Sequence, residues 1–320
     1  MPQLTDLLTE FGRARGTFKD PNVYGAFVVP ALVYALHLGF SGRGMTAAVA
    51  LAATGFLLLG VLLSFSRGAW SNAAGSVVLF TALSFVTSRS NWSRTRIAGI
   101  QIGAVLLGAL VLAFALQSPS ISTLLTERAK VEQSYDKEPN GRFAGHKIAK
   151  ELITANPLGI GPLQFSPHYH QEDIHEVYLN VLLGHGWLGG VAYILVVGLT
   201  VIVGFAAALR RGTTQGLLLV ALSAYLGTVG EGFIVDTDHW RHFFLLMAII
   251  WGVYLSGRNA AEFRAVPVTP KRNPSRLRRF PTRREFQPAA IRDSIRHGTA
   301  NWRQADETVA VAGAGTILVH

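Results

Sequence analysis

The sequence predicts an all-α fold, a polytopic transmembrane helix bundle of about seven spans with a helical external loop. Half of the 320 residues are hydrophobic and only 15% are charged, with a mean hydropathy of +0.33. A soluble domain carries nearer a quarter charged residues. The long apolar stretches lie between residues 24 and 257, whereas residues 258–320 are polar and basic. Lipid is therefore the expected solvent for most of the chain.

Seven apolar stretches approach the roughly 20 residues that a helix needs to cross the hydrocarbon core. The expected spans are residues 24–40, 46–65, 68–87, 97–116, 188–209, 215–234 and 241–257. They are rich in Gly and Ala, which lets membrane helices pack closely. Three parts follow: an external segment 1–23, a transmembrane domain 24–257 and a basic cytoplasmic tail 258–320 with the composition of a disordered segment.

Basic residues orient these spans, because cytoplasmic connections carry an excess of Lys and Arg. If seven spans alternate, the side holding the tail carries 18 of the 29 Lys and Arg residues and should be cytoplasmic. The opposite side receives residues 1–23, the turn at Arg67, the loop 117–187 and the turn 235–240. The net charge of +10 is thus mainly a topology signal. No nucleic-acid partner is expected; a tail that binds anionic lipid or nucleic acid is the alternative.

The number of spans is odd, which places the N-terminus outside although residues 1–23 carry Arg13, Arg15 and Lys19 and no apolar export signal. An odd number of further helices before residue 1 would resolve this, so we expect either a truncated or re-annotated start or a naturally shortened relative of a longer protein. The chain has no cysteine, which excludes disulfides, thiolate metal sites and a cysteine nucleophile.

Two arginines on the external side are candidate anion ligands. Arg67 follows one span in "LLSFSRGAW", and Arg142 begins an amphipathic helix in "GRFAGHKIAKELI". Guanidinium is a forked, permanently charged donor that suits phosphate. The alternatives are an arginine that extends to the interface from a helix end and an ordinary surface arginine in a first helical turn.

His175 opens "HEVYLNVLLGHGWLGG" at the expected water–lipid boundary, beside Glu176, where it is a candidate base. A zinc site formed by His168, His170 and His175 is a weaker interpretation, since the spacing fits no closed site. We expect no metal and no cofactor.

The turn "EGFIVDTDHWRHF" adds acidic and basic side chains between the last two spans. It is either solvated or the floor of an external cavity. The candidate supporting residues are Glu231, Asp238 and Arg241, with Asp236 and His239 beside them.

Five segments together resemble the O-antigen ligase and O-antigen polymerase-like family of membrane glycan enzymes. In chain order they are "GTFKDPNVYGAF", "SFSRGAW", "GRFAGHKIAKELITANPLGIGP", "HEVYLNVLLGHGWLG" and "DTDHWRHF". Their order and spacing agree with the family over about residues 16 to 256. Glu176 is a departure, because a smaller amide or hydroxyl residue is common there. Relatives also have further spans before the first segment, so the resemblance covers the family's C-terminal part.

The resemblance implies an inverting, metal-independent glycosyltransferase of the bacterial inner membrane, with a periplasmic active face. The donor would be a glycan on undecaprenyl diphosphate. The acceptor would be lipid A core in lipopolysaccharide biosynthesis, or a growing glycan in exopolysaccharide polymerisation. By the same resemblance, Arg67 and Arg142 would hold the diphosphate and His175 would be the catalytic base. The alternatives are a repeat-unit polymerase, an inactive or partner-dependent fragment, and a membrane carrier.

The topology gives the first testable expectation. Reporter fusions at Ser90 and Ser134 should lie on opposite sides, Ser90 in the cytoplasm and Ser134 outside, because the connection 88–96 holds three arginines and no acid. Paired alkaline phosphatase and fluorescent protein fusions measure this directly. The same side at both positions would contradict the seven-span arrangement.

Overall fold

The computed structural model describes residues 8–10, 13–115, 117 and 142–265. A short antiparallel hairpin joins β1 (Thr9–Glu10) to β2 (Arg13–Ala14). The helices of the described residues are α1 (Pro21–Ser41), α2 (Gly44–Leu63), α3 (Arg67–Thr87), α4 (Asn91–Ala115), α5 (Arg142–Ala155), α6 (Phe165–His168), α7 (Val177–Ala208), α8 (Gln215–Glu231) and α9 (Arg241–Ala265). The all-α class is confirmed, and the hairpin is an addition that the sequence did not predict.

Each of the seven expected spans coincides with a long helix. By length and composition α1, α2, α3 and α7 can cross a membrane, and a shorter apolar helix covers Arg241–Gly257. The helix α2 shows why lipid must surround the bundle. Its mean hydropathy is 2.3, yet only 17% of its apolar window is buried. An exposed apolar surface of that extent is stable in hydrocarbon and not in water.

The core of the bundle forms around α8. Residues from Leu218 to Tyr225 on this helix are buried on every side. A helix that is apolar all round occupies the interior of a bundle. Helices α1, α3, α7 and α9 surround it, and their contacts include the stacked rings of Tyr225 and Phe243.

The long helices alternate in direction, so the bundle has two ends. At one end, Val177 N–H donates to the Gly232 carbonyl (2.9 Å) and the Arg13 Nε donates to the Ser64 carbonyl (3.0 Å). We call this the His175 end. It contains the starts of α1, α3, α7 and α9 and the ends of α2 and α8.

We call the other end the Arg94 end. The Arg96 guanidinium donates to the Gly39 carbonyl there (3.0 Å), and Arg210 lies over the Tyr254 ring at 5.6 Å. The basic connections predicted to share one side therefore do share one end. Of the expected tail, residues 266–320 lie outside the described residues, and α9 runs to Ala265.

The loop between α4 and α7 contains ordered helices from Arg142 onward, as predicted; residues 118–141 lie outside the described part. The apolar face predicted for α5 packs on the first turns of α7 through a separate small core. The core residues of this cluster are Ala149, Ile153, Phe165, Ile174 and Leu183.

A break at Gly186 lets the loop approach α7 closely. Its φ of 70° and ψ of −176° interrupt the helix, and Trp187 N–H donates to the Pro157 carbonyl (2.9 Å) instead of continuing the helical ladder. A Cβ at this position would lie 2.5 Å from the Leu158 carbonyl carbon. Gly186 is thus required by both backbone conformation and space.

Gly186→Ala should destabilise the protein by about 1–3 kcal/mol or more, because the alanine is strained at this φ and collides with the loop backbone. The measurement is the thermal midpoint of purified protein in detergent, followed by size-exclusion chromatography after heating. Gly198→Ala in the same helix is the matched control, since its Cβ would meet nothing within 4 Å. Equal losses of stability in the two variants would contradict this account.

Candidate functional site

The site is built around the C-terminal end of α8. The last carbonyls of a helix have no partner within the helix, and other groups must satisfy them. Here the Tyr178 hydroxyl donates to the Val229 carbonyl (2.7 Å), and Val177 N–H donates to the Gly232 carbonyl (2.9 Å). These bonds fix the start of α7, and with it His175, against the end of α8.

Glu231 is the buried carboxylate at this position. It is 2% exposed, and its Oε2 accepts a hydrogen bond from Asn72 Nδ2 (2.8 Å). The same amide lies 3.4 Å from the Thr228 hydroxyl, and Asn72 Oδ1 accepts from the Ser76 hydroxyl (3.0 Å). A polar network therefore joins α3 to α8 inside an otherwise apolar bundle. The sequence predicts a site role for Glu231 and none for Asn72, although an amide in an apolar span is a signal for a buried partner.

Arg67 is the first residue of α3 and is half-buried. Ser66 caps this helix, since its hydroxyl accepts from Ala69 N–H (3.2 Å). The next residue, Gly68, faces Glu231, because a Cβ there would lie 2.8 Å from Glu231 Oε1. The absence of a side chain at Gly68 thus lets a carboxylate approach the start of α3, where the helix dipole favours negative charge. Arg67 immediately precedes Gly68 in the chain, so it also lies at the His175 end.

His175 faces the turn between α8 and α9. Its Nδ1 is 3.7 Å from Asp236 Oδ2, and 40% of the imidazole side chain is exposed. The other oxygen, Asp236 Oδ1, is buried and has no hydrogen-bond partner in the described part of the chain. The imidazole Nε2 is the ring nitrogen remote from this contact.

The structure selects Asp236 from the charged turn as the neighbour of His175. Asp238, which the sequence analysis preferred, instead lies 3.2 Å from the adjacent His239. Arg241 is the exposed first residue of α9. Sequence alone could not choose between two aspartates that are two residues apart, because the turn between α8 and α9 decides which carboxylate points toward α7.

The start of α5 lies beside the start of α7. His146 Nδ1 is 3.7 Å from Glu176 Oε2, and Arg142 begins the same helix one turn earlier. The structure therefore places the backbone of Arg142 at the His175 end; its side chain is outside the described residues. Burial raises the pKa of the Glu176 carboxyl above its usual range, and the positive charge of Lys150 opposes that shift.

The three histidines of the weaker zinc interpretation have different local partners. His168 Nδ1 is 3.1 Å from the Gln164 carbonyl, His170 Nδ1 accepts from Glu172 N–H (3.2 Å), and His175 faces the turn after α8. Among the residues that the structure describes, no three His, Asp or Glu side chains form a group able to hold a metal ion.

Fold and site together define a polytopic helical membrane protein whose candidate site residues lie at one end of the bundle. Residues 47–194 match the family model described as O-antigen ligase, which agrees with the resemblance carried by the sequence motifs. The matched range contains Arg67, Arg142 and His175. Comparisons with curated proteins and with solved structures gave no match.

Asn72→Ala should lower the stability by about 1.5–3 kcal/mol, because it leaves a buried carboxylate without its amide donor. The measurement is again the thermal midpoint in detergent. Ser71→Ala, on the exposed side of the same helix, is the control and should change the midpoint little. Adding Glu231→Gln to Asn72→Ala should recover part of the loss, since it removes the buried charge. No recovery in the double variant would contradict a charge-based role for Asn72.

Proposed function

We propose that this protein transfers a glycan from undecaprenyl diphosphate to a hydroxyl acceptor at the periplasmic face of the bacterial inner membrane. The reaction would serve surface polysaccharide biosynthesis. The observation that carries the proposal is the collection of Arg67, the start of α5 at Arg142, and His175 at one end of the bundle, all within the segment matched to the O-antigen ligase family.

The sidedness of the proposal comes from charge. The Arg94 end carries the basic connections, which should remain in the cytoplasm. The His175 end is then periplasmic, where undecaprenyl-linked glycans are displayed. A diphosphate at the lipid headgroup level is within reach of residues that start or end membrane helices.

The proposed chemistry is a single displacement at the anomeric carbon. His175 Nε2 takes the proton of the acceptor hydroxyl, whose oxygen forms a bond to the anomeric carbon as the bond to the diphosphate oxygen breaks. The anomeric configuration inverts, and undecaprenyl diphosphate leaves with the bonding electrons. Asp236, 3.7 Å from Nδ1, stabilises the imidazolium that forms.

The diphosphate is a good leaving group only if its growing negative charge is neutralised. Two fixed guanidinium groups, Arg67 and Arg142, would provide this through forked hydrogen bonds in a partly dry site. With these groups in place the reaction requires no divalent ion. Ligase and polymerase differ in the acceptor alone, so the same arrangement serves lipid A core or a growing glycan.

His175→Ala should reduce glycan transfer by roughly 10²–10⁴-fold while leaving binding of the lipid-linked donor nearly unchanged, because a base acts in the transition state. The assay uses purified protein in proteoliposomes with an undecaprenyl diphosphate-linked glycan. Three acceptors are tested in parallel: lipid A core, a second lipid-linked repeat unit and a hydroxyl-bearing peptide. His168→Ala, an exposed histidine of the same segment, is the matched control and should keep wild-type activity.

The same assay tests the arginines and the metal independence. Arg142→Lys should lose nearly as much activity as Arg142→Ala, since a point charge cannot replace a fork. Transfer should continue with a chelator present. Full activity in His175→Ala, or loss of wild-type activity with chelator, would overturn the mechanism. Transfer by wild type in native membranes but not after purification would favour the partner-dependent subunit.

A further inference from the structure

A basic cavity lies at the Arg94 end, remote from the proposed reaction site. It has a volume of about 490 Å³ and opens between the α3–α4 connection and the α7–α8 connection. Its lining includes Arg89, Arg94, Arg211 and Gln215, with Val86 and Leu209 at its apolar margin. The helix α3 runs from the His175 end to the Arg94 end. Its 21 residues separate this cavity from Arg67 by roughly 30 Å.

The described lining of this cavity contains arginines and no carboxylate. Arg94 donates to the Ser88 carbonyl (3.2 Å) and lies 5.7 Å from the centre of the Phe85 ring. The Gln215 amide donates to the Ala208 carbonyl (2.9 Å), which closes the α7–α8 connection on the other side. One guanidinium is therefore held in place, and the exposed Arg89 and Arg211 complete the lining.

The sequence supplies no acidic neighbour in the helices that frame the cavity. Residues 21–126 and 177–230 contain no Asp and no Glu. Three guanidinium groups lining one cavity repel one another, and their repulsion is relieved when an anion binds among them. A phosphate group offers the oxygen geometry that guanidinium forks match best.

The apolar margin indicates how that phosphate is presented. Val86 is 67% exposed and Leu209 is 64% exposed, each at the end of a helix long and apolar enough to span the membrane. The cavity is therefore placed at the boundary between hydrocarbon and water. Basic pockets between spanning helices at this depth accept anionic headgroups while the acyl chains remain in the bilayer.

We propose that the cavity at the Arg94 end binds a phosphate-bearing anion, presented as the headgroup of an anionic phospholipid. The same recognition chemistry would accept free phosphate, and the experiment separates the two sources. This inference is independent of the proposed glycan transfer, because it uses the opposite end of the bundle and none of the residues assigned to the reaction.

The test is lipid retention by the full-length chain in native mass spectrometry, after incubation with cardiolipin, phosphatidylglycerol or phosphatidylcholine. Two double variants are compared. The cavity pair, Arg89→Gln with Arg211→Gln, removes two lining residues, and the control pair, Arg43→Gln with Arg210→Gln, removes two arginines that do not line the cavity. All four arginines are exposed and the two pairs remove equal charge. Affinity for the anionic lipids should fall about 30-fold in the first pair, near fivefold for each arginine, and less than threefold in the second.

A phosphate arm identifies the source of the anion. In it, inorganic phosphate is titrated against lipid-free protein and the shift in thermal midpoint is recorded. Loss of anionic-lipid binding in the cavity pair alone supports the headgroup. A phosphate-induced shift that is lost in the cavity pair alone, with lipid binding unchanged, supports phosphate recognition and assigns a soluble ligand. Equal losses of lipid and phosphate binding in the two pairs, or no loss of either in both pairs, would overturn the proposal.

The adjacent single variants keep the test decisive if a double variant does not fold. Arg211→Gln removes a lining residue, whereas Arg210→Gln removes the arginine beside it that lies over Tyr254. About a fivefold loss of anionic lipid binding is expected in the first alone. The same affinity in Arg211→Gln and Arg210→Gln would again overturn the proposal.

Discussion

The His175 end depends on how the last carbonyls of α8 are satisfied. Residues 218–225 of this helix are buried on every side, and its terminal carbonyls bond to protein groups at the His175 end. The turn that follows α8 satisfies the Thr228, Gly230 and Glu231 carbonyls, whereas Val177 N–H and the Tyr178 hydroxyl on α7 bond to the Gly232 and Val229 carbonyls. The segment that supplies them carries His175 two residues before Val177. Satisfying the backbone of the central helix therefore also positions the candidate base.

Glu231 and Asn72 extend the same principle to side chains. A carboxylate that is 2% exposed is costly unless donors surround it, and here it accepts from an amide on α3 while facing the glycine that follows Arg67. The network aligns the start of α3 with the end of α8. The backbone of Arg67, the first residue of α3, therefore has a fixed position along the bundle axis.

The two ends of the bundle differ in their chemistry. The His175 end combines carboxylates, histidines and arginines. Two of its contacts pair a histidine with a carboxylate: His146 with Glu176, and His175 with Asp236. Proton transfer and stabilisation of a leaving diphosphate both need such mixed groups. The Arg94 end is basic, and the helices that reach it carry no acid between residues 21 and 126. That composition suits the binding of anions.

The sequence by itself determined the helical class, the positions of the long apolar helices, the amphipathic α5 and the shared end of the basic connections. These follow from local hydropathy, period and charge, which need no knowledge of distant contacts. It also proposed His175 and Glu231 as site residues, and their roles stay predictions. Only the tertiary structure decided that Asn72 bonds to Glu231, that Asp236 rather than Asp238 faces His175, and that Gly186 breaks α7 beneath the loop. Those contacts join residues separated by up to 159 positions, and their choice depends on helix packing and turn geometry that no local pattern encodes.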